Sequence, residues 1–376
     1  MRRATNILCL ASHLQPHRIQ SISTATTTTP SPPTIGKMSA SPPPSAAAPW
    51  RSLFLSHLEG MDSAEFTLST LRRASSSSSS SSSAGGRRSS ILAAPLYVPR
   101  ARTCICRGLW AHLPINPKNE AELNPEGVWE SELITFTTDV RMDKMEELWE
   151  NGLDFDLRTG GRRGTDPGSP TTGKVGEELW EDSLARMKGK RSSSDENAAK
   201  SSKERKLKGS GGGGTVEAVF WAREPGVQWR VRGRAYVLAP DIETSPEGRE
   251  VVSALKSRMR KQSQSQSEEE SQWSFAREIT AHFGNLSPAM RGTFRNPPPG
   301  RPVHLPVEDK GLGLGQKVAD LEDAVARANF RVVVIVPEEL DQADLSDPEN
   351  PKRWIHTYVG AGDKGKGGWE TVEVWP

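Results

Sequence analysis

Glu132-Leu133-Ile134-Thr135-Phe136-Thr137-Thr138-Asp139-Val140-Arg141-Met142-Asp143-Lys144 is the stretch that decides the fold. Glu132 to Thr137 has strand character, and Asp139 then offers an N-cap for a helix running through Met145, Leu148 and Trp149. At such a junction free backbone N–H groups, a threonine hydroxyl, the Arg141 guanidinium and the Lys144 ammonium converge, a combination that attracts a phosphate. Arg141 and Lys144 are three residues apart, so both cations can face one anion. The plain alternative is that Asp139 and Asp143 pair with those cations in solvent.

Outward from this junction, strand patterns dominate. Glu65 to Leu71 alternates with period two, and strand character returns at Arg102 to Arg107 beyond the homopolymer Ser75 to Ser83. The serine tract therefore predicts a long loop between two paired strands. Val216 to Leu238 predicts a hairpin turning at Pro225-Gly226, with Gln228, Arg230, Arg232 and Arg234 on the face opposite Trp229 and Val231. That face is either solvated or lines an anionic site. Phe330 to Val336 reads as a buried strand and Trp369 to Trp375 as a terminal one. Helical spacing marks Trp50 to Met61, Ser253 to Met259 and Trp273 to Phe283. The expected class is mainly β with short helices (α+β): six or seven strands, as in a small closed barrel.

Composition dilutes this pattern. The 376 residues are 34% hydrophobic with a mean hydropathy of −0.59, and long stretches hold almost no apolar side chains. One domain over 48–376 is expected, after a leader over 1–47 and interrupted by disordered inserts at about 75–90, 160–214, 262–272 and 301–320. The basic clusters Lys188 to Arg191 and Lys203 to Lys208 read as solvated charge runs. Gly311, Gly313 and Gly315 lack the preceding strand and the spacing of a dinucleotide fingerprint.

Several classes of function are set aside. With 49 Lys+Arg against 47 Asp+Glu, net charge +2, no broad field steers the chain onto nucleic acid or anionic membrane. The strongest apolar run, Val332 to Val336, is far short of a membrane span. Cys9, Cys104 and Cys106 supply neither a disulfide framework nor a zinc site, and the seven histidines are scattered. No metal site is expected. Met1 to Leu58 contains no Asp or Glu and is rich in Ser, Thr and Arg, the composition of a transit peptide, while Met38 offers an alternative start. Mitochondrial and cytoplasmic locations both stay open.

Read in order, Ala48-Pro49-Trp50-Arg51, Arg102-Thr103-Cys104-Ile105-Cys106-Arg107-Gly108, Phe136 through Lys144, and Gln228-Trp229-Arg230-Val231-Arg232-Gly233 resemble successive blocks of the pyridoxamine 5′-phosphate oxidase-like FMN-binding family. Asn350 to Trp354 with Gly368 to Pro376 resembles the family's ending. The likeness covers roughly 48–150, 215–300 and 328–376, and is nearer to the divergent FMN-binding branch than to the vitamin-salvage enzymes.

The resemblance implies an FMN-binding split β-barrel that forms a homodimer with two composite sites. By position, Arg102, Thr103, Cys104 and Ile105 would run beside the flavin, with Arg102 reaching the ribityl phosphate. Thr137 and Thr138 would give backbone and hydroxyl contacts, Arg141 and Lys144 the phosphate charges, and Gln228 a contact near the ring. Arg107 replaces the lysine that binds substrate phosphate in the salvage oxidases. Their Tyr/Arg/Ser triplet has at best Trp273, Arg277 and Ala281 here, and two residues separate Arg353 from His356 where the family has one. Arg107, Arg277 and Arg353 are thus the substrate-binding candidates, and a pyridoxamine phosphate substrate is in doubt. The implied function is a flavin-dependent oxidoreductase acting on a small molecule, phosphorylated or not; the alternatives are a non-catalytic FMN-carrying or ligand-sequestering module or a scaffold whose inserts bind partners.

Overall fold

The computed structural model describes residues 47–73, 97–149, 207–262, 267–307, 309, 311–360 and 368–376, together with the backbone of a two-residue ladder, Phe155–Asp156 with Gly161–Arg162. The serine tract, the leader and most of 160–206 lie outside the described residues. The strands are β1 (Glu65–Arg73), β2 (Tyr97–Leu109), β3 (Trp129–Ser131), β4 (Ile134–Asp139), β5 (Gly211–Ala222), β6 (Val227–Leu238), β7 (Met259–Lys261), β8 (Phe330–Asp344), β9 (Lys352–Gly360) and β10 (Gly368–Val374). The helices are α1 (Arg51–Glu59), α2 (Lys144–Trp149), α3 (Pro246–Lys256), α4 (Ser267–Gln272), α5 (Phe275–Gly284), α6 (Pro288–Gly292) and α7 (Ala324–Asn329).

Antiparallel pairing runs β8–β4–β2–β1–β5–β6 and returns to β8, so six strands close on themselves. β8 makes closure possible by pairing along both edges. Its first half, Phe330 to Ile335, lies against β4, its second half, Glu339 to Asp344, leaves β4 and takes β9, and β6 follows its other edge from Val332 to Asp344. β10 then extends β9 outward. This is a split barrel with mostly antiparallel strands and short helices, the architecture the alternating patterns predict. The β1–β2 ladder pairs Glu65 with Ile105 and Arg73 with Tyr97, so the serine tract does join paired strands.

Two cores follow from the period of two. Inside the barrel, Phe66, Leu68, Phe136, Phe220, Trp229, Val231, Val333 and Ile335 meet, with Phe54 of α1 packing edge-on against Phe220 and Trp229 and with Met145 and Leu148 of α2. Outside it, Phe330, Val332 and Val334 pack against Val251, Leu255, Ile279, Phe283 and Phe294. Because β8 is buried on both faces it reads as one continuous apolar run, not an alternation.

Several elements differ from the sequence reading; the helix expected over Ser253 to Met259 runs Pro246–Lys256 instead, and Met259 begins β7. Gly211-Gly212-Gly213-Gly214, expected at the end of the 160–214 insert, instead begins β5. A Cβ on Gly214 would stand 2.7 Å from the carbonyl oxygen of Leu148, and one on Gly212, at φ 108°, 2.8 Å from that of Ala235. The glycines thus let α2 sit against the strand and let the strand bulge between Gly212 and Gly214. Ser267–Gln272, expected within the polar insert over 262–272, is helical. β9 lacks the alternation that marks a strand, and is fixed by its pairing with β8 and β10. Asp139 does not cap α2: the helix begins at Lys144, after a turn in which the Asp139 carboxylate accepts the Arg141 backbone N–H at 2.8 Å.

In the outer core His282 is 1% exposed, lies nearly parallel to Trp110 at 5.8 Å, and leaves both ring nitrogens without a hydrogen-bond partner. Burial, with Arg107 nearby, lowers its pKa from 6.5 to about 3. Two stability tests follow. Gly212→Ala should cost about 1–3 kcal/mol in denaturant unfolding, whereas Gly368→Ala, with nothing near its Cβ, should be close to neutral. The unfolded chain protonates His282 near 6.5 while the folded one resists until about 3, so stability falls as pH drops below 6.5, by about 2 kcal/mol between pH 7 and 5. His282→Phe should flatten that part of the pH–stability curve; an unchanged slope would show the histidine is not its source.

Candidate functional site

β2 and β4 lie side by side, so alternation sorts the candidate residues onto two faces. Arg102 and Cys104 project with Leu68 and Phe66 toward the barrel interior, and Thr103, Ile105 and Arg107 project outward. Only half of the Arg102–Ile105 block can therefore present side chains to a single ligand.

The inward set ends in a polar cluster at the rim of the barrel. Glu147 of α2 has a fully buried side chain. Its Oε2 accepts from the Thr70 hydroxyl at 2.5 Å and from Arg102 Nη2, while Arg102 Nη1 donates to Thr70 Oγ1 at 2.5 Å. Arg102 is thus a neutralised cation held by a helix residue, and Arg100 Nε adds a longer contact to Glu147 at 3.9 Å. The sequence reading missed Glu147, since one glutamate on a short helix carries no signal of its own. Beside this cluster, Lys144 is nearly buried, and its Nζ donates to Thr138 Oγ1 at 3.0 Å. Burial, reinforced by Arg102, lowers the Lys144 pKa against the opposing pull of Cys104, Asp139 and Glu147. Burial raises the Cys104 thiol, against the pull of Lys144 and Arg102.

Arg141 is placed differently from the expectation that it shares an anion with Lys144. Nε and Nη2 grip the two Asp139 oxygens at 2.9 and 2.6 Å, Nη1 donates to the Asn296 carbonyl at 2.8 Å, and Nη2 also reaches the Phe294 carbonyl at 3.3 Å. The plain alternative of an Asp139 pair holds. Arg141 fastens the segment after α6 to the end of β4, and that segment makes a wall.

Between that wall and β4 lies a groove of about 650 Å³, within the range of small-molecule sites. Arg107, Thr137, Thr138 and Lys144 line one side, and Leu286, Met290, Phe294, Pro297, Val303 and Leu305 line the other. A second recess of about 480 Å³, lined by Arg100, Arg102, Lys144 and Pro299, adjoins it through Met142, Lys144 and Pro299. The rim cluster and the groove are therefore continuous. Arg107 has a buried Nε without a partner, and burial lowers its pKa. Gly108 beside it has φ 91°, and a Cβ there would stand 2.5 Å from Pro114, so only glycine lets β2 turn under the groove.

The remaining candidates are elsewhere in the chain. Thr103 lines a separate recess with His57, Thr67 and Trp221. Gln228 faces outward from β6 opposite Ala343, and Arg353 of β9 pairs with the same Ala343 from the other edge of β8. Arg353 grips both Asp341 oxygens at 2.9 and 2.7 Å, and Arg230 bonds the same carboxylate. Burial alone would raise the Asp341 pKa, but hydrogen bonds from Arg353 and Arg230 outweigh it and hold it low. Arg232 and Arg234 likewise pair with Glu339 and Glu338. His356 is buried, 2.9 Å from Thr371 Oγ1. Arg277 pairs with Glu122 at 3.0 Å and donates to the Gln272 carbonyl in another recess.

Within one chain, then, Thr137 and Gln228 stand opposite Val332 and Ala343, eleven residues apart on β8, about 35 Å of strand. The candidates form two clusters at opposite ends of that strand. Among the described residues, no group of three His, Cys, Asp or Glu is arranged to hold a metal ion.

Residues 47–159 match the family model of the pyridoxamine 5′-phosphate oxidase FMN-binding domain. That stretch runs from α1 past α2 and contains both Arg102–Arg107 and Thr137–Lys144, so the resemblance read from those blocks holds there. Among solved structures, the chain is similar to a pyridoxamine 5′-phosphate oxidase-related FMN-binding protein from Nostoc punctiforme, with 15% identity and a TM-score of 0.43 over 88% of this chain and 100% of that one. It is also similar to PhzG from Burkholderia lata, solved in complex with tetrahydrophenazine-1-carboxylic acid, with 12% identity and a TM-score of 0.33 over 86% of this chain and 90% of that one. No curated protein matches the chain.

Proposed function

From the match over the FMN-binding domain, we propose that the chain binds FMN along β2 and β4 and works as a flavin-dependent oxidoreductase on a small molecule. The observation that carries this reading is the continuity of a cationic rim with a mostly apolar groove. A flavin mononucleotide has the same polarity order: a dianionic phosphate, a polar ribityl chain and a flat, largely apolar ring.

Lys144 and Thr138 would hold the phosphate, with Arg102 beside them. Lys144 supplies the charge, because Arg102 is already balanced by Glu147. Thr137 and the β2 backbone would meet the ribityl chain and the ring edge. The wall from Leu286 to Leu305 would exclude water from the ring and strengthen each polar contact made there. When bound, the flavin supplies the redox chemistry by taking up or delivering a hydride at its ring nitrogen. The chain's own part is to bind, orient and dry the site, and no acid/base pair is required of it.

The same proposal includes a homodimer. No single flavin mononucleotide spans the strand length between Lys144 and Gln228. A two-fold pairing that brings the Gln228–Arg353 end of one protomer to the Lys144 rim of its partner gives each site both clusters. Symmetry then makes two such sites.

Lys144→Ala should lower FMN affinity by about 1.5–3 kcal/mol, the value of one charge-assisted bond, while Arg141→Ala should lower unfolding stability instead. Fluorescence titration of FMN separates these, and equal affinity in the Lys144 variant would remove the phosphate assignment. Affinity should also fall as pH rises through the depressed Lys144 pKa, and Lys144→Arg should move that fall to higher pH because a guanidinium keeps its proton. For the dimer, Lys144→Ala and Gln228→Ala protomers, each weak alone, should regain a share of wild-type sites on mixing, since half the composite sites of a hybrid carry neither change. Failure to complement would exclude shared sites. Bound flavin that no donor reduces would mark a carrier module in place of an enzyme.

A further inference from the structure

We propose that the recess beyond Lys144 takes an adenylate joined to the flavin phosphate, so that the site fits a flavin dinucleotide. Arg100 holds the second phosphate and Asp143 the ribose. This rests on the flavin reading above, in which the mononucleotide half lies in the groove, and extends it to the rest of the cofactor.

Position comes first. The flavin phosphate is assigned to Lys144 and Thr138, and Lys144 lines both the groove and the recess of about 480 Å³. A flavin mononucleotide ends at that junction, so it does not account for the recess, whose size is that of a small-molecule site. Whatever enters there meets the phosphate end of the flavin and not its ring, which is the wrong end for a hydride donor. A group bonded to the phosphate is delivered there by its own linkage, and its binding becomes intramolecular.

The lining then matches an adenylate part by part. Arg102 is committed to Glu147. Arg100, two residues earlier on the same face of β2, reaches Glu147 only at 3.9 Å, too long for a hydrogen bond, and keeps 48% of its side chain exposed. Lys144 and Arg100 are thus two separate cations, and they suit the two single charges of a pyrophosphate better than the double charge of one terminal phosphate. The backbone adds donors. β2 pairs with β4 only at Cys106 and Leu109, so along Pro99 to Arg102 its edge away from β1 has no strand partner among the described residues. Backbone N–H groups on that edge are open to phosphate oxygens. Asp143 binds Arg72 through one oxygen at 3.2 Å while its carboxylate stays 71% exposed. A carboxylate beside a nucleotide phosphate accepts the hydroxyls of the ribose. Pro99, Met142 and Pro299 supply apolar surface for a flat base.

Isothermal titration of the full chain with FAD, FMN and riboflavin tests the assignment. FAD should bind about tenfold tighter than FMN, the value of one added charge-assisted bond, and riboflavin more weakly than either. Arg100→Ala should weaken FAD about tenfold and leave FMN within about twofold, because Arg100 lines the recess and not the groove. Arg100→Lys keeps the charge and should recover part of that loss, and Asp143→Ala should weaken FAD alone. FMN binding as tightly as FAD or tighter, as a partner protomer filling the recess would produce, overturns the dinucleotide and leaves the FMN reading standing. An Arg100→Ala loss shared equally by both flavins does the same. If neither flavin binds, the flavin reading itself fails and takes the adenylate site with it.

Discussion

Closure of the barrel depends on β8 pairing along both edges. A six-stranded antiparallel sheet left open would expose two rows of backbone N–H and C=O groups. β8 removes both rows by bonding to β6 on one side and to β4, then β9, on the other. The change of partner occurs beside an irregularity between Pro337 and Glu339, where Pro337 cannot donate and the register to β6 shifts. Everything placed at the site follows from it. The first half of β8 fixes β4 and thus Thr137 and Thr138, and the second half fixes Gln228 and Arg353.

The electrostatics of the site come from a second constraint, the desolvation of charge. Arg102, Arg141, Arg230 and Arg353 each have a carboxylate, and none of these pairs is free to take an incoming anion. A sequence rich in arginine therefore yields few usable cations. Lys144 and Arg107 stand out because burial disfavours their charge while no acid among the described residues forms a salt bridge with them. An anion settling there would relieve a cost the fold already carries.

Much of the barrel was legible because half-buried strands write their faces into the sequence. The alternation of Trp229 and Val231 located the buried face of one arm of a real hairpin, whereas in the other arm Phe220 and not Trp221 faces the core, and the Glu65 and Arg102 strands paired as expected across the serine tract. β9 was missed because Lys352 to Gly360 mixes polar and apolar residues on both faces. The glycine run misled because four glycines look alike in a linker and in a strand approached closely by a helix. At the site, Lys144 and Thr138 were legible from residue type and spacing at a strand end. The commitment of Arg141 to Asp139, the Glu147 cluster and the apolar wall were not, since each depends on contacts between segments far apart in the chain.

The β1–β2 ladder runs past the barrel to its last pair, Arg73 with Tyr97, beside the recess that holds Arg100. The chain leaves and re-enters the fold there at adjacent points, on the same rim as Lys144. Extra sequence spliced between those points adds loop entropy that grows only with the logarithm of its length, about 0.6 kcal/mol per doubling. Such a segment is also tethered at the groove's entrance, at a local concentration no free peptide reaches. The barrel therefore accepts variation in chain length at a point beside the recess that adjoins the groove.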